Sequence, residues 1–235
     1  NIFTTGPVPS SKEEEQLFIE EVNKGLESFF LLVTNLGFSI VNFCYPMSVE
    51  QDEEGLDAVY PASSTERIVK FSKVEKSLIF KTMLQTIPKF RSKIRIFSPL
   101  SSLNVLQKSY NGETITPFPC RGGIDHFFIN ANDGNTYPCG YRGMDNLGSY
   151  RQGIIATDQK AFCTRCDWEC FRDPSELGGP LVHGFSEPLS LFKKYKRDSE
   201  YYKLWRQDLK YYKACDYFDG KKVYNKDKLL KFDIT

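Results

Sequence analysis

Five of the seven cysteines of this 235-residue chain fall between positions 120 and 170, and that bunching constrains the fold more than any other feature. Thiols gathered so closely must be satisfied together, by a metal ion, by an iron-sulfur cluster or by one another. Cys120 and Cys139 stand apart with Gly134 between them, and Cys163, Cys166 and Cys170 follow as a tight group. The Cys163-Thr164-Arg165-Cys166 spacing supplies two adjacent ligands without strain.

The residues between the first two cysteines show how they join that pair. His126-Phe127-Phe128-Ile129-Asn130 and Thr136-Tyr137 are rich in strand formers, and Asp133-Gly134 is a hairpin signal because glycine accepts positive φ. A turn there places Cys139 across from about Phe128. Gly122-Gly123 lets the chain curl and return Cys120 to the hairpin base. Three backbone segments then present sulfur to one point. Spacing alone leaves structural zinc and an iron-sulfur cluster both open. Disulfides fit poorly, because no secretory signal is visible, the number of cysteines is odd and the thiols are clustered rather than spread.

The remainder of the sequence supplies a core and little net charge. A hydrophobic fraction of 40% fills a core, and thirty-one basic against thirty acidic residues leave no field that would attract nucleic acid. The longest apolar run, around residues 29–33, is far too short to span a bilayer, so neither a membrane nor a nucleic acid is an expected partner. Without a leader peptide in view the expected location is the cytoplasm, and a start at Asn1 rather than Met suggests a fragment or a processed chain.

Taken in order, residues 1–9 read as a connection. Ser11 opens a helix whose apolar residues Phe18, Val22, Leu26, Phe29, Val33 and Leu36 recur at helical spacing until Gly37. Residues 38–45 form a nearly continuous apolar run of strand length, stopped by Pro46. Residues 47–67 read as a surface loop, in which Ser63-Ser64-Thr65-Glu66 would cap a short helix. A second helix is expected from about Ser72 to Phe90, and a strand over residues 94–97. Helix, strand, helix, strand is an α/β signature. Beyond Cys170, residues 172–180 carry two prolines and two glycines and read as loop. Helices follow over about 189–195 and 199–212, then a turn at residues 216–220 and a basic tail over 221–231. The aromatic stripe Tyr202, Trp205, Leu209 and Tyr212 faces the core.

The pattern C-x13-G-x4-C followed by CxxC, with Ile129-Asn130 leading to Tyr137-Pro138-Cys139 and Asn146-Leu147-Gly148 after it, resembles the SPASM and twitch domains of radical S-adenosylmethionine enzymes. The resemblance implies an auxiliary [4Fe-4S] cluster on Cys120, Cys139, Cys163 and Cys166, with Cys170 in reserve. One cluster is implied rather than two, because the gap of five that follows CxxC in the longer pattern is missing. The resemblance also implies an α/β fold in which residues 1–108 are the C-terminal part of a partial (β/α)6 barrel. Residues 109–235 would then be a small α+β, cysteine-rich domain with a β-hairpin and C-terminal helices. The family's CxxxCxxC motif, which holds the cluster that binds S-adenosylmethionine, is absent from these residues. That cofactor and its cluster are therefore expected outside this segment. The activity implied is radical oxidoreductase chemistry on a peptide, protein or small molecule, with ferredoxin or flavodoxin as reductant. The alternative is a zinc-stabilised binding module without catalysis, and zinc is also a credible occupant of aerobically purified material.

Other residues invite a role. His126 lies between the first two ligands, where it would tune a cluster or face solvent. His183 has no telling neighbour. Asp125, Arg165, Asp167 and Glu169 surround the cysteines and read as a solvated face, with Arg165 placed to offset thiolate charge. Cys44 and Cys215 read as a core thiol and a helix-end thiol. Asn42, polar within an apolar strand, needs a partner, and a cofactor or substrate is one candidate beside a purely structural one.

Overall fold

The computed structural model describes residues 8–45, 59, 71–153, 160–186, 188–216 and 225–233. In chain order the elements are α1 (Lys12–Asn35), β1 (Ile40–Val41), α2 (Lys73–Phe90), β2 (Arg95–Ile96), α3 (Leu100–Tyr110), β3 (Phe128–Ile129) and β4 (Thr136–Tyr137), then α4 (Glu169–Ser186), α5 (Pro188–Arg197), α6 (Ser199–Ala214) and α7 (Lys226–Leu229). The described residues are largely helical. Their two sheets have two strands each, β1 parallel to β2 and β3 antiparallel to β4. The expected capping residues at 63–66 and the turn at 216–220 lie wholly or mostly outside the described residues.

Ser11 caps α1 by accepting the Glu14 amide at 3.2 Å, while the Glu14 carboxylate reaches back to the Ser10 amide and hydroxyl at 2.7 Å each. Gly37 closes the helix at φ 82°, a left-handed conformation that suits glycine. In the apolar run that follows, only Ile40 and Val41 pair with a neighbour, yet the chain stays alternating: Val41, Phe43 and Tyr45 are buried, Asn42 and Cys44 exposed. Helix α2 starts at a reciprocal capping box between Ser72 and Glu75 and runs through Pro88 to Phe90. Pro88 falls in the last turn, where it has no amide to give to the Leu84 carbonyl, and the helix ends two residues later. The core lies between α1, α2 and the β1–β2 pair, with Phe30 stacked on Phe90 at 4.8 Å and Ile79, Phe80, Met83 and Ile87 sealed from solvent.

Helix α3 carries the chain across residue 108, so the expected domain boundary falls inside a helix. Its N-cap is Pro99, whose ring carries no acceptor for the first amides. Asp208 of α6 takes that part: it accepts the Leu100 and Ser101 amides at 3.0 and 2.9 Å and pairs with Arg91 at 2.8 Å, both side chains nearly sealed from solvent.

Residues 172–180 are helix, not loop. They form the middle half of α4 despite Pro174, Gly178, Gly179 and Pro180. Burial offsets the poor local propensity, since Phe171, Arg172, Asp173, Ser175, Glu176 and Leu177 are all buried. Pro180 has no amide to give to the Glu176 carbonyl, and the Tyr201 hydroxyl donates to that carbonyl instead, at 2.8 Å. The next carbonyl, of Leu177, accepts the Trp205 indole N–H at 2.8 Å. At Gly179 a Cβ would stand 2.2 Å from the Phe118 ring, so only glycine lets α4 approach this closely.

Candidate metal centre

Four cysteines reach the centre on three segments. Cys120 lies on the extended chain after α3. Helix α4 holds it there: the Glu176 carboxylate accepts the Phe118 amide at 2.9 Å and the Ser175 hydroxyl accepts the Arg121 amide at 2.9 Å. Cys139 follows β4. Cys163 and Cys166 lie in the extended approach to α4, tied to the first segment by a bond of 2.6 Å from the Cys120 amide to the Cys163 carbonyl.

The hairpin register differs from expectation by two residues. Phe128 pairs with Tyr137 and Ile129 with Thr136, so the same register carries Cys139 to the level of His126 rather than Phe128. A two-residue turn at Asp133-Gly134 would have given the expected pairing. Instead the chain closes between Asn130 and Asn135, whose backbone bond measures 2.9 Å, with four residues in the loop. Asn146-Leu147-Gly148 folds back on the other side of β4, where the Leu147 amide meets the Thr136 carbonyl at 2.8 Å and the Thr136 amide meets the Gly148 carbonyl at 2.9 Å.

The sulfurs of these four residues interact electrostatically. Burial raises the Cys120, Cys139 and Cys166 thiols, Cys139 to about 11 and Cys166 well above its ordinary value, and the proximity of the Cys163 sulfur raises each of the three further. Cys120 in turn opposes ionisation of Cys139 and Cys166. Backbone amides work the other way. The Gly122 amide donates to Cys120 Sγ at 3.3 Å, and the amides of Tyr141 and Trp168 donate to Cys139 and Cys166. Partly buried sulfurs that repel one another while collecting amide donors form a donor set that suits a soft cation. Aromatic rings wall it in: Trp168 lies 5.0 Å from Phe171 and 5.4 Å from Tyr141 between ring centroids.

Among the described residues no three histidine, cysteine, aspartate or glutamate side chains stand ready at metal-binding spacing. The cleft beside Cys120, bounded by Gly122, Gly123, Arg142 and Phe162, has a volume of about 10 Å³. Binding therefore requires the sulfurs to draw together around an ion, or the cleft to open around a cluster.

Cys170 belongs to a different neighbourhood. On the first turn of α4, it donates to Glu169 Oε1 at 3.5 Å and is pushed up to about 12 by burial and by the charges of Glu169, Cys44 and Asp173. Cys44 is exposed rather than a core thiol, and it too bonds Glu169. Cys215 is buried against Tyr211. Asp167 and Glu169 are buried rather than solvated, Asp167 paired with Lys76 at 2.6 Å. Asp125 pairs with Arg121, and Arg165 is exposed. The half-buried His126 ring sits edge-on to Phe171 with centroids 6.5 Å apart, and burial lowers its pKa. His183 packs on Phe118 at 5.2 Å. Asn42 is exposed and accepts the Ser98 hydroxyl at 3.5 Å. Sequence assigned Gly122 to the curl of the chain, whereas its amide bond to Cys120, the place of Arg142 and the aromatic wall were not foreseen.

No helix among the described residues is long and apolar enough to cross a membrane. No family model, no curated protein and no solved structure matches the chain.

Proposed function

We propose that Cys120, Cys139, Cys163 and Cys166 hold an auxiliary [4Fe-4S] cluster in a radical S-adenosylmethionine enzyme of the SPASM or twitch type. A peptidyl substrate is the first choice and a small molecule the second. The observation that carries the reading is the convergence of cysteines from three separate backbone segments, with Cys120 packed against Cys139 and its amide bonded to the Cys163 carbonyl at 2.6 Å. When bound, such a cluster supplies one-electron transfer or an open iron for substrate.

The chain's own residues act around it. The amides of Gly122, Tyr141 and Trp168 stabilise charge on sulfur, and Trp168, Tyr141 and Phe171 exclude water. Arg142 favours the ionised form of Cys139 and Arg172 that of Cys120. In this reading S-adenosylmethionine and the cluster that cleaves it belong to chain outside these residues, and ferredoxin or flavodoxin delivers the electron.

The narrow cleft beside Cys120 favours a second reading, a four-thiolate zinc site that fixes the fold without catalysis. Anaerobic purification separates the two. Roughly four irons and four sulfides per chain with charge-transfer absorption support the cluster. Stoichiometric zinc that persists under anaerobic, iron-replete expression supports the module and overturns the enzyme assignment.

A further inference from the structure

The segment formed by α5 and α6 carries an excess of positive charge that its own acids do not neutralise. Four acidic residues lie between positions 188 and 216, and each is engaged elsewhere: Asp198 and Glu200 by Lys108 at 3.0 Å each, Asp208 by Arg91 at 2.8 Å and Asp216 by Lys228 at 3.1 Å. Lys203, Arg206 and Lys210 recur at helical spacing on one exposed face of α6 and form no ion pair among the described residues.

These three cations line a groove of about 250 Å³. The remaining walls are not simply solvated surface. Tyr195 presents a ring that is 48% exposed, and its centroid lies 5.1 Å from that of Tyr202. Tyr202 is 6% exposed, and its buried hydroxyl has no hydrogen-bond partner. Ser199 and Gln207, each able to donate and accept, complete the lining. The volume lies near the lower end of ligand pockets, ~300 Å³, which fits one small molecule rather than a protein partner.

We propose that this groove binds a nucleoside polyphosphate. The phosphates lie along Lys203, Arg206 and Lys210, whose positions span roughly 10 Å of helix at 1.5 Å per residue. The base lies against the Tyr195 ring, and Ser199 and Gln207 meet the polar edges. Cations alone would serve any polyanion; the exposed tyrosine beside them selects one that carries a flat ring. The site is separate from the cysteine centre and does not depend on what metal that centre holds.

Isothermal titration of the whole chain with ATP, with tripolyphosphate and with a single-stranded oligonucleotide tests the assignment. Saturable one-to-one binding of ATP is expected, weakening as salt rises. Arg206→Gln weakens ATP and tripolyphosphate alike, by about tenfold. Tyr195→Ala weakens ATP by about tenfold and leaves tripolyphosphate unchanged. Both positions are exposed, so thermal unfolding should match the parent. Should Arg206→Gln be unfolded, Lys203→Gln with Lys210→Gln replaces it. Tripolyphosphate binding as tightly as ATP, with no effect of Tyr195→Ala, overturns the proposal in favour of an unselective anion patch. An oligonucleotide that binds more tightly than ATP overturns it in favour of a nucleic-acid surface, and the absence of saturable ATP binding overturns it outright.

Discussion

Lys76 Nζ stands 2.6 Å from Asp167 Oδ2, with the two side chains 1% and 0% exposed, and the Tyr110 hydroxyl donates to the same oxygen at 2.8 Å. Asp167 is the residue after Cys166, so this pair joins α2 to the cysteine-bearing segment. Removing the cation alone leaves a buried carboxylate without a counter-charge, a loss on the order of 3–5 kcal/mol. Lys76→Met should lower the urea midpoint accordingly and reduce metal content, whereas Lys76→Met with Asp167→Leu should recover most of the stability. Equal stability of the single variant and the parent would show that the pair does not hold the two regions together.

The cysteines divide into two groups with different expected behaviour. Serine at position 120, 139, 163 or 166 removes a thiolate from the proposed centre and should cut bound metal by about tenfold or more. Cys170→Ser removes a thiol whose surroundings are Glu169, Cys44 and Asp173, and should leave metal content unchanged. Elemental analysis of the five variants, expressed identically, checks this. Metal loss on Cys170→Ser would move the centre toward α4.

Gly179→Ala places a methyl group 2.2 Å from Phe118, at the ring carbon nearest the backbone, which cannot swing away as a chain end could. Overpacking of this kind costs about 1–3 kcal/mol. A matching fall in stability should appear in thermal unfolding, with a smaller effect from Gly178→Ala, where the added methyl meets open space.

Asp173 is fully buried, and burial, reinforced by the charges of Glu169 and Asp208, pushes its carboxyl up to about 8. Tyr45 and Ser102 donate to it at 2.8 and 2.6 Å, and among the described residues no cation pairs with it. The folded state therefore holds this proton to higher pH than the unfolded state, whose value is near 3.8. Between these values folding is linked to proton uptake, so the carboxyl's contribution to stability declines as pH rises from about 4 to about 8 and is level above that. Asp173→Asn should flatten the stability profile over that window in urea titrations at fixed pH. An unchanged slope would place the titrating group elsewhere.

Several of these features were legible in the sequence. The apolar spacing from Phe18 to Leu36 and the stop at Gly37 locate α1, and the run ending at Phe90 locates α2, because in both a single face is apolar and the ends carry chemistry that caps a helix. Helix α4 was not legible. Local propensity around Pro174, Gly178, Gly179 and Pro180 argues against helix, and what reverses it is the ring of Phe118, the hydroxyl of Tyr201 and the indole of Trp205, partners distant in the chain. The hairpin was legible as a turn but not in register, because Asp133-Gly134 serves a wider loop closed by Asn130 and Asn135. At the cysteines, sequence located the segments, and the burial of Asp167 and Glu169 could not be read from it, since a charge beside a ligand looks the same on paper whether solvated or locked to Lys76.

The first turn of α3 borrows its cap from Asp208, more than a hundred positions downstream. During synthesis the amides of Leu100 and Ser101 emerge long before their acceptor exists, so that turn stays frayed until the last helices arrive and dock. Assembly is in this sense sealed from the far end, and a nascent chain halted before α6 would display Arg91 and an open helix start as marks of its incompleteness.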